Sequence, residues 1–218
     1  MEPFSRETKQ KIVDACRFMQ AERMVLGTWG NISVRTEAGV IITPSRVNYD
    51  TMTPDDLVTV DLNGRVIEGN RVPSSETDLH TAIYRRREDI GCVVHNHSLY
   101  ASVFAAAEMD IPPIVEEQSQ IIGGTVRCTP EYIPAGHHID LANLAAQTLE
   151  DKNAVLISHH GAVCCGKDMD EALTVARVLE KTAQLYLFMK QMGVGERIIP
   201  DSLVHEERFR FLYKYGKA

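Results

Sequence analysis

Strand-like runs and helical stretches follow one another along this chain in no strict alternation, and that irregular order constrains the fold more than any other feature. It points to a central, mainly antiparallel sheet covered by helices, an α/β (α+β-like) arrangement. Ile12, Val13, Cys16 and Met19 recur at three- and four-residue steps, which predicts an amphipathic helix over residues 5–24. Gly27-Thr28-Trp29-Gly30-Asn31 turns the chain into a strand at 32–35, and Gly39 turns it into another at 40–43. Leu62-Asn63-Gly64 separates short strands at 57–61 and 65–68, a hairpin signal. Helices are predicted over 74–87, 100–107, 140–150, 170–192 and 205–215, with Ser75 and Asp78 resembling a capping box on the first. Residues 91–97 read as a strand and 154–165 as a strand pair or one bent strand, while 111–127 give no clear signal. No repeat or linker interrupts the chain, and 218 residues suit one domain spanning 1–218.

Composition excludes several roles. A net charge of −7, with no basic stripe carrying interleaved aromatics, argues against nucleic acid. No stretch approaches the ~20 apolar residues a bilayer span needs, and the N-terminus lacks a signal-peptide core. The five cysteines are odd in number and hold no C-x-x-C pair, so they read as free thiols of a cytoplasmic protein.

Chemistry concentrates in two histidine clusters. In Val93-Val94-His95-Asn96-His97, side chains two apart on a strand leave the same face, and the apolar lead-in buries that strand. Two imidazoles so placed form a natural pair of metal ligands. A second cluster, Leu156-Ile157-Ser158-His159-His160-Gly161, also follows a buried-looking run. Adjacent strand residues face opposite ways, so only one of His159 and His160 should join the first pair, and spacing does not choose between them. Three neutral nitrogen ligands leave an open coordination position, as catalytic sites do. His80, His137, His138 and His205 lack such pairing and read as surface or core histidines; His80 shares a helix face with Glu76 and could steady it, with packing the favoured role.

Three short motifs suit an anion. Pro73-Ser74-Ser75-Glu76 opens a predicted helix, whose N-terminal N–H groups favour a phosphate. Gly27-Thr28-Trp29-Gly30-Asn31 offers a glycine-lined turn with an amide, and Thr43-Pro44-Ser45 offers two hydroxyls. Each is weak alone, since turns and N-caps share this look.

The order G-T-x-G-N-I-S-V-R, I-T-P-S, P-S-S-E, V-V-H-N-H, H-H-G resembles the class II aldolase/adducin family over nearly the whole chain, from about Arg6 to Tyr215-Gly216. The resemblance implies a divalent metal on His95, His97 and His160, which settles the choice spacing left open. Zinc is the default for three imidazoles, with Mn2+ or Co2+ also compatible. It implies Glu76 beside the metal as acid/base, with its pKa raised by partial burial. It places substrate phosphate on Asn31, Thr43, Ser45, Ser74 and Ser75. It implies a homotetramer with active sites at subunit interfaces, to which Tyr215 contributes from the C-terminal tail. The implied reaction is lyase cleavage of a ketose 1-phosphate to dihydroxyacetone phosphate and an aldehyde. One departure bears on the substrate. Members acting on L-fuculose 1-phosphate carry a tyrosine shortly after an Ile-Pro, and here that stretch is Ile111-Pro112-Pro113-Ile114-Val115-Glu116-Glu117-Gln118. Either Glu116 or Glu117 takes over its proton or the proton moves by another route, and a 5-deoxy- or 5-methylthio-pentulose 1-phosphate becomes a candidate beside L-fuculose 1-phosphate. The alternatives are a 4-epimerase, a keto-acid phosphate decarboxylase or a dehydratase on the same scaffold, or a non-catalytic adducin-like interaction module.

Overall fold

In the computed structural model, which describes residues 6–134, 136–193, 195 and 197–215, helix α1 (Arg6–Ala21) leads into strands β1 (Asn31–Thr36) and β2 (Gly39–Ile42). The hairpin β3 (Val58–Val60) and β4 (Val66–Glu68) follows, then α2 (Thr77–Arg86), β5 (Cys92–Asn96) and α3 (Leu99–Ala106). After a π-helical turn at Gln118–Ile122 come α4 (His138–Leu149), β6 (Ala154–Ile157), β7 (Gly161–Gly166), α5 (Met169–Gln191) and α6 (Asp201–Tyr213). Ser5 at the start of the first predicted helix, and Gly216 beside Tyr215, lie outside the described residues.

The strands form one sheet in the order β4-β3-β2-β1-β5-β7-β6. Every neighbouring pair is antiparallel. Alternation divides the core. Cys92 and Val94 point to the face covered by α1, α3 and α5, whereas Val93 points to the face covered by α2 and α4. His95 and His97 follow the parity of Val93. A one-residue slip of β5 would exchange its faces, so burial on both sides also fixes where the histidines emerge.

Helix α2 and the placement of His159 and His160 differ from expectation. Helix α2 starts at Thr77, three residues later than the predicted start at 74, with Glu76 as its N-cap and no capping box at Ser75. The competing bond is local: Ser74 Oγ accepts from the Glu76 N–H at 3.2 Å, and Ser74 O accepts from Thr77 N. Residues 154–165 form a hairpin, so His159 and His160 sit in its turn and not on a strand. The segment 111–127 is ordered by a buried side chain, the amide of Gln118 donating to Ile111 O and Gly124 O.

Candidate active site

Four elements bring the site together at one end of the sheet. His95 is the last but one residue of β5, and its register partner on β1 is Asn31. His97 follows β5, with its N–H held by Met24 O at 2.8 Å. His160 arrives from the β6–β7 turn, and Glu76 from the N-cap of α2.

The turn chooses between the two adjacent histidines by a route other than strand alternation. His159 adopts φ +53, a left-handed conformation, and its ring stays outside the imidazole cluster, with Nε2 3.6 Å from Glu108 Oε1 at the cavity wall. His160 is thereby turned inward. Gly161 permits this closeness. A Cβ there would lie 2.6 Å from Asn96 O, 2.9 Å from His97 Cδ2 and 3.4 Å from His95 Cε1.

The three imidazoles meet edge-on, with ring centroids 4.8 Å (His95–His97), 4.8 Å (His95–His160) and 5.1 Å (His97–His160) apart. One nitrogen from each lies within 4.8 Å of the others, an arrangement that could hold a metal ion. His95 Nδ1 is 3.1 Å from Ala162 O, and a carbonyl only accepts. Nδ1 therefore carries the proton, and the Nε2 lone pair faces the cluster, as in the backbone-oriented histidine ligands of metal sites. That nitrogen is 2.9 Å from His97 Nε2, a contact that is attractive only with a proton or a cation between them.

Glu76 completes the group. Its Oε2 lies 3.3 Å from His95 Nε2 and its Oε1 lies 3.3 Å from His160 Nε2. Burial pushes His95 down to about 3 and also lowers His97, so both are neutral near pH 7, the form that binds metals. Burial alone would raise the Glu76 carboxyl. The His95 and His160 imidazoles and the Asn31 amide outweigh it and hold Glu76 at about 2. The pKa is thus lowered, not raised as expected. Glu76 is ionised before any substrate arrives. Neutral nitrogen donors, one carboxylate and a fixed tautomer fit a divalent cation.

The cluster opens into a cavity of about 520 Å³ lined by Glu76, His97 and His160, together with Asn31, Ser45, Ser74 and Ser75. Thr43 does not line it. It is buried, and its backbone instead ties Ser74 N to the end of β2. Asn31 lines the cavity, but its amide is already engaged with Glu76 and His80. Tyr215 and Glu117 are not brought to the histidines of the same chain. Tyr215 lines a separate cavity with Ile90 and Gly166, at the opposite end of β5 and β7. Glu117 pairs with Lys181 in another cavity beside α5.

Two further residues line the cavity, and a third supports it from behind. His138 lines the cavity from the start of α4. Arg46 lines it too, in a left-handed conformation at φ +59, with no carboxylate partner among the described residues. Its signal was the cation directly after Thr43-Pro44-Ser45. His80 is fully buried and bonded to Asn31, and its signal was the four-residue step from Glu76.

An antiparallel sheet bearing three convergent histidines and a carboxylate defines a class of protein with known members. Residues 10–187 match the model of the Class II Aldolase and Adducin N-terminal domain, and the chain belongs to that family. It is 37% identical over 190 residues to the L-fuculose phosphate aldolase of Haemophilus influenzae, covering 86% of each chain. It is 36% identical to the 5-deoxy-D-ribulose 1-phosphate aldolase of Bacillus thuringiensis serovar kurstaki, over 91% of this chain and 92% of that one. It is also 32% identical to the L-ribulose-5-phosphate 4-epimerase UlaF of Salmonella paratyphi A, over 97% and 96%. A solved L-fuculose 1-phosphate aldolase superposes with a TM-score of 0.91 at 30% identity, over 96% of this chain and 98% of that one.

Proposed function

We propose that this chain is a divalent-metal-dependent aldehyde-lyase that breaks the C3–C4 bond of a ketose 1-phosphate, giving dihydroxyacetone phosphate and an aldehyde. The substrate is of the L-fuculose 1-phosphate or 5-deoxy- or 5-methylthio-pentulose 1-phosphate type. One observation carries this reading. Three imidazole nitrogens within 4.8 Å of one another adjoin an ionised Glu76, on the wall of a cavity whose other residues include Ser45, Ser74 and Ser75. Relatives of 37% and 36% identity named as aldolases of such phosphates support it.

In this reading His95, His97 and His160, with Glu76, hold the cation, zinc by default and manganese or cobalt as substitutes. When bound there, the cation supplies Lewis-acid stabilisation of the charge that develops as the bond opens, worth several kcal/mol. Ser45, Ser74 and Ser75 donate hydroxyls to the substrate phosphate, and Arg46 brings a positive charge to it. Glu76, a carboxylate in the resting enzyme, takes up a proton and delivers it to C3. The proton lost from the C4 hydroxyl balances the one C3 gains. The chain acts as one cytoplasmic domain in a homotetramer. There Tyr215 and Glu117, both away from their own histidines, reach the site of another copy and handle the C4 hydroxyl proton. Five free cysteines, and the lack of any membrane-crossing helix among the described residues, are compatible with the cytoplasm.

The test is a panel of ketose phosphates assayed separately for triose phosphate and for epimerised product, with metal added back. The Glu76→Gln variant serves as a control and is expected to keep its metal and lose turnover. Release of dihydroxyacetone phosphate is the expected result, and a Glu76→Gln variant near wild-type activity would remove Glu76 from the mechanism. The 32% identity to a 4-epimerase over 97% of the chain favours a second reading, which predicts epimerised product and no net triose phosphate.

A further inference from the structure

Glu76 is held from behind by a chain of hydrogen bonds that begins deep in the core. Asn31 Nδ2 donates to Glu76 Oε2 at 2.6 Å. The other end of that amide, Oδ1, lies 2.5 Å from His80 Nε2. His80 Nδ1 lies 2.6 Å from Ser33 Oγ, which in turn lies 2.9 Å from Tyr84 Oη. Ser33, His80 and Tyr84 are buried between β1 and α2, and none of them lines the cavity.

Chemistry allows only one direction for the protons along this chain. The Glu76 carboxylate can only accept, so Asn31 must present its NH2 to it, which leaves Oδ1 facing His80. A carbonyl oxygen also only accepts, so the proton of His80 sits on Nε2. Burial keeps the ring neutral, pushing it down to about 3, so Nδ1 is unprotonated and accepts from the Ser33 hydroxyl. Tyr84 Oη donates to Ser33 O at 2.9 Å, which leaves the Ser33 proton free for the ring. Each group thus fixes the orientation of the next. Glu76 Oε2 is pinned, and Oε1, 3.3 Å from His160 Nε2, is its freer oxygen.

We infer that His80 is a positioning residue for the reaction. Acting through Asn31, its Nε2–H sets the orientation of the Glu76 carboxylate and so selects Oε1 as the oxygen that exchanges the proton. The inference rests on the reading of Glu76 as proton carrier. It adds the support of Glu76 to the phosphate-binding role expected of Asn31. The second N–H of the same amide stays available to a ligand in the cavity that Asn31 lines.

Two substitutions of similar disruption separate this role from simple packing. The amide nitrogen of His80→Gln stands near the place of Nε2 and can still donate to Asn31. His80→Asn reproduces the Nδ1 position and cannot reach. With L-fuculose 1-phosphate as the probe and the metal-loaded full chain, kcat of His80→Asn should fall roughly 10- to 100-fold, the usual effect of losing an outer partner of a metal or catalytic group. KM and metal content should change little, and His80→Gln should recover most of the loss. Asn31→Ala should lose a similar factor, and the Asn31→Ala/His80→Asn double variant should be no slower than Asn31→Ala. Equal losses in the two His80 variants, or additive losses in the double variant, would overturn the inference. A second readout needs no turnover. Imidazole nitrogen shifts in the metal-free protein should show the Nε2–H tautomer of His80, and the Nδ1–H tautomer or a cationic ring would overturn the chain outright. Glu76→Gln run in parallel reports on the underlying reading. If that variant stays active, the proton-carrier role fails, while the tautomer measurement still decides whether the chain exists.

Discussion

Replacing Gly161 by alanine tests how tightly the β6–β7 turn sets the histidine cluster. The new methyl would sit 2.6 Å from Asn96 O and 2.9 Å from His97 Cδ2. Close C–H···O contacts in proteins lie at about 3.3 Å, so the gap to Asn96 must open by about 0.7 Å. Asn96 O is backbone, in the strand segment that ends between His95 and His97, so it cannot simply rotate away. Overfilled sites of this kind cost about 1–3 kcal/mol. Metal sites tolerate displacements of only about 0.2 Å, so the strain falls on cation binding. At 1.4 kcal/mol per tenfold, metal affinity should weaken by about 5- to 150-fold. Competition with a chromogenic chelator measures that affinity, and thermal unfolding of the metal-free variant measures the general cost. If Gly161→Ala is destabilised but binds zinc as tightly as the parent, the contact between this turn and the ligand rings does not shape the site.

Acidification should destabilise the metal-free protein. His80 and His95 sit near 3 when folded and return to about 6.5 when unfolded, so the unfolded chain binds more protons between these values and stability falls as pH drops through that window. From pH 7 to pH 5 the two rings together account for about 4 kcal/mol, readable as a lower urea midpoint, and an unchanged midpoint would contradict their neutral burial. Glu76, at about 2 in the fold, adds loss of the same sign below pH 4.5. Arg46→Gly should raise KM for a phosphorylated substrate about tenfold, the scale of one charged hydrogen bond, without lowering Tm, since glycine adopts φ +59 freely. An unchanged KM would remove Arg46 from phosphate binding.

Much of this molecule is legible in its sequence, for identifiable reasons. Strand β5 announced itself because both faces are apolar, and its parity alone put His95 and His97 together. The Asn-Gly hairpin was equally local. The sequence was silent where one long-range contact decides a local shape. Residues 111–127 are held by the buried Gln118 amide, which leaves no periodicity. Helix α2 begins late because Ser74 closes a turn on the Glu76 N–H, a competition that a capping-box pattern cannot rank. The resemblance and the geometry agree on His160 beside His95 and His97, but the two adjacent histidines lie in a turn and not on the strand that alternation assumed. A left-handed His159 in a tight turn does the selecting. Asn31 and Thr43, marked for phosphate by their motifs, also make bonds the motifs do not announce, Asn31 to Glu76 and Thr43 to Ser74. Such roles depend on partners 45 and 31 residues away.

The central claim is that three imidazoles from two distant stretches share one cation beside Glu76. Metal content of purified protein, measured for the parent and for single alanine variants of His95, His97, His159 and His160, tests it most directly. One divalent ion per chain is predicted in the parent and in His159→Ala, and a steep loss in each of the other three. Full occupancy in His160→Ala, or loss confined to His159→Ala, would contradict it.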